Sequence, residues 1–233
     1  MNKVVARNNN FVNIIIATLT FLFFVLFFFP KIDISFSELF YINGKFIYKE
    51  NCFAIFIFKS IPIITKGFVT VVILIFFYSL LSVNLRLISI SLFFLLSAAI
   101  APGLLVNEVF KNHFGRSRPD NVKEFGGKYE FVGPFKFSNS CKKNCSFSSG
   151  HASMGYYFTS LSYLFRKKQK TFKLTFSLFF LFGSLVGLIR IMQGRHFLSD
   201  VIFSASITLL TNHIISFFLL KYEDKKINQQ KLL

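Results

Sequence analysis

The sequence predicts an all-α, polytopic membrane protein, and three observations carry that expectation. Mean hydropathy is +0.56 and 53% of the 233 residues are hydrophobic, with 36 Phe among them, which is more apolar than a water-soluble domain. Several windows with little or no charge approach the roughly 20 residues that a helix needs to cross a bilayer. Short stretches rich in Lys and Arg separate them, as loops that set membrane orientation do.

In chain order, residues 11–29 form the first uncharged window. Lys3 and Arg7 precede it as in a secretion signal, but Phe29-Pro30-Lys31 offers no small-residue cleavage site, so a retained anchor is expected. Residues 53–64 contain Lys59 and Pro62 and read as an interfacial segment. Further spans are expected at 67–83, after Lys66, and at 87–106, after Arg86. The window 151–165 is short, so polar residues facing protein should extend it at one end. Only Lys173 interrupts 171–189, and the last window, 197–220, carries Asp200, Asn212 and His213. The expected architecture is a six-helix bundle, with residues 1–233 forming one integral membrane domain.

Six spans put Lys3 and Arg7, Arg86, the cations of 166–170, and Lys221, Lys225, Lys226 and Lys231 on one side. By the positive-inside rule that side, with both termini, is expected to be cytoplasmic. The loop 107–150 is also basic, but it is long, and long loops cross largely regardless of charge. The net charge of +17 is assigned to topology and to anionic lipid headgroups. No basic recognition helix, single-strand groove pattern or binding module accompanies it, so no nucleic-acid partner is expected.

Three cysteines are too few for a disulfide scaffold. Cys141 and Cys145 flank Lys142-Lys143-Asn144 in the loop expected outside the cytoplasm, where they either pair or stand as two free thiols. No second cysteine pair or nearby histidine pair completes four zinc ligands.

Three segments on the expected extracytoplasmic side carry the chemistry. Lys111 and Arg118 are seven positions apart, about two turns of one helix face, and Pro119 turns the chain after Arg118. Together they suit an anion; alone they equally suit a basic cluster on headgroups. Ser148-Ser149-Gly150-His151 stands where a loop becomes a helix. Ser149 or Ser148 caps it, and the N–H groups near Gly150 make an anion site with His151 alongside, or an ordinary cap beside a spectator histidine. Arg190, His196 and Asp200 complete the set. At i, i+4 on a helix His196 meets Asp200, which by accepting Nδ1–H leaves Nε2 aimed outward as a nucleophile or base needs, or the two form a satisfied pair at a helix start. His213 falls on another face and reads as a packing partner, and His113 as a loop histidine.

In combination these segments resemble the type 2 phosphatidic acid phosphatase family, which shares its core with vanadium haloperoxidases. Lys111, Arg118 and Pro119 meet the pattern Lys-x6-Arg-Pro, and Arg190, His196 and Asp200 meet Arg-x5-His-x3-Asp. Ser148 stands where the middle motif usually has Pro, and Ile189 where the third often has Ser. The resemblance implies that His196 attacks phosphorus to give a phosphohistidine, with Asp200 orienting it. His151 would protonate the leaving alcohol and later activate water. Lys111, Arg118, Ser149, Gly150 and Arg190 would hold the phosphoryl oxygens. No cofactor or metal is implied, and Asp200 is the one carboxylate of 10 acidic residues within the constellation.

Residues 102–107, 115–119 and 141–151 are also similar to the bacterial lipid A phosphatase branch, its 4′-phosphatases most of all. The implied partners are the bilayer of the bacterial inner membrane and a lipid phosphate. Lipid A 1-phosphatases and undecaprenyl-pyrophosphate and phosphatidylglycerophosphate phosphatases share the same core. Arg116, Arg195, Lys142 and Lys143 are candidate contacts for a second phosphate or a sugar headgroup. The rival classes are a membrane transport or scaffold protein, which would tolerate loss of His196, and a haloperoxidase, which would be soluble.

Overall fold

The computed structural model describes residues 3–230, with side chains described as far as 220. Helix α1 (Lys3–Phe28) leads into the short α2 (Lys31–Glu38) and a hairpin of β1 (Tyr41–Ile42) against β2 (Lys45–Phe46). Helix α3 (Cys52–Leu81) follows, then α4 (Leu85–Ala98), which continues through a π-helical stretch (Ala99–Phe110) into the single turn α5 (Lys111–His113). A long loop reaches α6 (Gly150–Tyr157), which tightens into a 3₁₀ segment (Phe158–Phe165) before α7 (Gln169–Met192) and α8 (Leu198–Gln230). Local caps set several starts: Asn51, Asn84 and Ser149 each accept the N–H three residues on, from Ala54, Leu87 and Ala152.

Among the described residues, five helices are long and apolar enough to cross a membrane: Lys3–Phe28, Cys52–Leu81, Leu85–His113, Gln169–Met192 and Leu198–Leu220. The protein is thus an all-α, multi-pass membrane bundle, with the sixth expected window built differently. Residues 150–165 lie in its middle, packed against α7, α8 and the π-helical stretch. Ala152, Ser153, Tyr157, Thr159 and Ser162 are wholly buried. Eight α-helical and eight 3₁₀ residues, at about 1.5 and 2.0 Å each, reach about 28 Å, close to the bilayer core despite the shortness of the segment. A Cβ on Gly155 would sit 2.9 Å from the Gly183 Cα, so α6 and α7 meet nearly backbone to backbone.

Most polar groups of this central rod find partners, as buried polar groups generally do, whereas Ser160 Oγ has none among the described residues. Ser153 bonds Thr208 at 2.8 Å, Asn212 donates to the Thr159 hydroxyl at 3.1 Å, and Tyr157 donates to the Phe94 carbonyl at 3.1 Å. His213 Nδ1 meets the Tyr163 hydroxyl at 3.1 Å, so it is a packing partner inside the bundle.

The expected interfacial segment 53–64 is corrected: it forms the first part of α3, one continuous helix of 30 residues. At about 45 Å that helix outruns the hydrocarbon core, which explains how Lys59 and Pro62 are accommodated within it. Phe110, Phe114, Phe147 and Phe203 pack with Phe23 in a separate cluster. Phe46, Val122, Phe125 and Phe197 form a second cluster that seats the hairpin on the loop. Of the tail cations, Lys221, Lys225 and Lys226 belong to α8 without described side chains, and Lys231 lies outside the described residues.

Candidate active site

Helix α7 ends at Met192 and α8 begins at Leu198, and His196 occupies the turn between them with 1% exposure. Asp200 is in the first turn of α8 and reaches back to accept the Phe197 N–H at 2.8 Å, the backward half of a capping box. That reach brings the carboxylate to 3.7 Å from His196 Nδ1. The Nδ1–H itself is donated elsewhere, to the Ser146 carbonyl at 2.7 Å, which corrects the expectation that Asp200 accepts it. A carbonyl can only accept, so neutral His196 carries its proton on Nδ1 and its lone pair on Nε2. Burial, joined by the charges of Lys111 and Arg118, pushes the imidazole down to about 3 against the pull of Asp200. His196 is therefore neutral across the physiological range.

Arg116 is the largest correction. The expected headgroup contact is 1% exposed and threads between two carboxylates. One terminal nitrogen donates to Asp33 Oδ2 at 2.8 Å and the other to Asp200 Oδ1 and to Ser199 Oγ, while Nε donates to the Val132 carbonyl. The Phe197 ring lies 4.2 Å under the guanidinium. Asp33, on α2, also accepts the Ser199 N–H and hydroxyl. Burial pushes the Asp33 carboxyl up and Arg116 holds it down. Every contact on its two oxygens is a donor, the pattern of an ionised carboxylate. Sequence reasoning missed Asp33; its one signal is a carboxylate set between Ile32 and Ile34.

Lys111 follows the π-helical stretch as the first residue of α5 and is 9% exposed. Arg118 shares no helix with it, contrary to the spacing argument, because α5 stops at His113. The chain reverses at Gly115, whose φ is +62° and whose Cβ would lie 1.7 Å from the Ser138 carbonyl oxygen, so only glycine fits. Arg118 then runs extended ahead of Pro119 and donates to the Asn144 carbonyl at 2.7 Å. Burial, with the Arg195 charge adding, lowers its pKa, a penalty that a bound anion would relieve. Arg190, in the last turn of α7, is buried and bonds Gln193, and its Nε has no partner among the described residues.

His151, the second residue of α6, lies within electrostatic reach of Arg190, His196 and Lys111. Its Nε2 lies 3.2 Å from the Phe58 carbonyl and its ring stacks on Phe58 at 4.7 Å. That carbonyl is available because the residue four places on, Pro62, has no N–H to return. Phe58 also faces the Arg190 guanidinium at 4.5 Å. Ser149 caps α6 while its own O–H remains a donor, and Gly150 begins the helix, where first-turn N–H groups have no intrahelical acceptor. Ser148 Oγ is buried without a partner among the described residues.

Three cations, two imidazoles and a helix start thus converge on one place, an arrangement suited to a phosphate. Residues 90–222 match the family model of the PAP2 superfamily, a stretch that contains every one of these groups except Phe58, Pro62 and Asp33. The chain belongs to the PAP2 superfamily. It is 33% identical over 226 residues, 95% of its length and 99% of the relative's, to the lipid A 4′-phosphatase of Francisella tularensis subsp. novicida. Against the lipid A 4′-phosphatase of Rhizobium leguminosarum it is 39% identical over 44% of this chain and 43% of that one. The crystal structure of a transmembrane PAP2-type phosphatidylglycerolphosphate phosphatase from Bacillus subtilis shares the fold, with a TM-score of 0.54 at 20% identity over 91% of this chain and 96% of that one.

As a PAP2 enzyme the protein is a membrane-bound phosphoric monoester hydrolase. Around the PAP2 site the remaining candidates divide. Arg195 is part-exposed and ion-pairs with Asp120 at 3.3 Å, where Lys49 joins it at 3.3 Å. Lys142 and Lys143 are exposed between Cys141 and Cys145, which form a disulfide. Arg195, Lys142 and Lys143 are thus open to a headgroup, whereas Arg116 is not. Among the described residues no three His, Cys, Asp or Glu side chains are grouped to hold a metal ion.

Proposed function

We propose that this protein, acting as one integral membrane unit, hydrolyses a phosphate monoester on a lipid headgroup through a phosphohistidine on His196, with lipid A 4′-phosphate as the substrate. The observation that carries the reaction is the fixed Nδ1–H of His196, which leaves Nε2 unprotonated beside Lys111 and Arg118. Nε2 attacks phosphorus, the bond to the sugar oxygen breaks, and that oxygen takes a proton from His151. Since His151 Nε2–H is held by the Phe58 carbonyl, the transferred proton comes from Nδ1 of the imidazolium, the form that the negative charge of the bound phosphate favours. His151 then removes a proton from the water that hydrolyses the phosphohistidine, which returns His151 to the imidazolium and His196 to the neutral imidazole. Lys111, Arg118, Arg190, the Ser149 hydroxyl and the Gly150 N–H stabilise the phosphoryl oxygens. The near full-length likeness to a lipid A 4′-phosphatase supports the substrate.

The site is assigned to the periplasmic face of the bacterial inner membrane, with both termini cytoplasmic. The short-loop cations support that orientation, and so does a disulfide in the loop that supplies the site. Phosphate release from lipid A, undecaprenyl pyrophosphate, phosphatidate and phosphatidylglycerophosphate by the detergent-purified protein tests the substrate. Preference for any of the last three would overturn the lipid A assignment. EDTA is expected to leave the rate unchanged, because three cations surround the site and no three His, Cys, Asp or Glu side chains among the described residues are grouped to hold a metal ion. A rate lost to chelation and restored by a divalent cation would contradict this mechanism. Combining Arg195→Ala with Lys142→Ala and Lys143→Ala should raise KM for lipid A by about three- to tenfold, each exposed charge contributing little. An unchanged KM would remove these residues from headgroup recognition.

A further inference from the structure

Asp33 stands outside the three motifs and outside the stretch that matches the family, yet it is wholly buried against the catalytic turn. Its Oδ1 accepts the Ser199 N–H at 2.8 Å, and its Oδ2 accepts both the Ser199 hydroxyl and Arg116. Arg116 donates in turn to Asp200 Oδ1. The other oxygen of Asp200 accepts the Ser146 hydroxyl, and the Ser146 carbonyl fixes Nδ1 of His196. A continuous chain of hydrogen bonds thus links α2 to the nucleophile through Arg116, Asp200 and Ser146. It is also a charge arrangement. One guanidinium between two carboxylates leaves the cluster with a net negative charge, and the nearest group to acquire positive charge during phosphoryl transfer is the imidazole of His196.

We propose that Asp33 is a positioning residue for the reaction: with Arg116 it clamps Asp200 and supplies the surplus negative charge that stabilises His196 as it becomes cationic. The proposal rests on the phosphohistidine reading. Without the Asp33 charge, Arg116 would neutralise Asp200 alone, and the imidazolium would form beside a neutral cluster in a site that already holds Lys111 and Arg118. The cost falls on the transition state and leaves ground-state binding nearly untouched, so kcat should suffer and KM should not.

The test is Asp33→Asn in the full-length protein, which removes the charge and keeps the shape. Steady-state kinetics, rapid-quench measurement of phosphoenzyme formation and a thermal melt in detergent are read together. The expected result is a kcat at least tenfold lower, a KM within about twofold, and slowed phosphoenzyme formation in a protein that still melts cooperatively. Wild-type kcat and phosphorylation rate in folded Asp33→Asn would overturn the proposal. Should that variant fail to fold, Ser199→Ala decides: it keeps every charge and removes the hydroxyl that joins Asp33 to Arg116. A severalfold fall in kcat at unchanged KM supports the clamp, and an unchanged kcat overturns it. His196→Ala, run alongside, separates the failures. If it keeps activity, the phosphohistidine reading itself falls; if it is inactive while Asp33→Asn turns over normally, only the role of Asp33 does.

Discussion

Replacing His196 by Ala is expected to reduce turnover by about three orders of magnitude or more, the scale on which removing a nucleophile acts. The variant should still fold: alanine loses the bond to the Ser146 carbonyl, while Asp200 keeps its bonds from Ser146, Phe197 and Arg116. Acid-labile radiolabelled phosphate should appear on the wild-type protein when it is quenched during turnover, and be missing from the variant. Turnover above a tenth of wild type would rule out His196 as nucleophile. Because burial holds its pKa at about 3, no loss of activity on the acid side between pH 7 and 5 should trace to His196. It remains the neutral, nucleophilic form throughout that window.

Arg116→Met should damage stability more than substrate binding. The side chain is 1% exposed and neutralises two buried carboxylates, and removing one partner from a buried ion cluster costs about 3–5 kcal/mol. Against a total stability of about 5–15 kcal/mol that is a large fraction. A melting temperature many degrees lower in detergent is the expected readout. The deficit also has a pH sign. Without Arg116, burial alone acts on Asp33 and its folded pKa rises further above the unfolded value of about 3.9. A group shifted that way favours the folded state when protonated, so the deficit should narrow as pH falls from 7 towards 4. If Arg116 were a headgroup contact, its loss would raise KM and leave the melt unchanged at every pH.

The two variants mark different depths of legibility in the sequence. The closeness of His196 to Asp200 was readable because their spacing sits on a local rule: a carboxylate three residues into a helix returns to the cap and passes the preceding side chain. The spacing still misassigned one bond, since the Nδ1 acceptor is Ser146, fifty residues away, and no local periodicity reports on it. Lys111 and Arg118 do lie within electrostatic reach of each other, but not for the reason their spacing offered. A seven-residue separation suggested two helical turns, whereas a glycine turn does the work. Arg116 was misread because a cation in a basic loop looks the same in sequence whether it meets solvent or a buried Asp.

Apolar windows, short-loop cations and three motif spacings are local properties, so the sequence by itself determined that this is a helical membrane protein with a phosphate-handling site. Burial and long-range pairing belong to the folded chain alone. Only the tertiary structure decided that the window at 151–165 is a buried central rod, that Pro62 frees a carbonyl for His151, and that Arg116 serves the interior. It also brought Asp33, from an eight-residue helix far from every motif, against the start of α8. The physical reason is that such contacts are set by which surfaces pack together, and no interval along the chain encodes that directly.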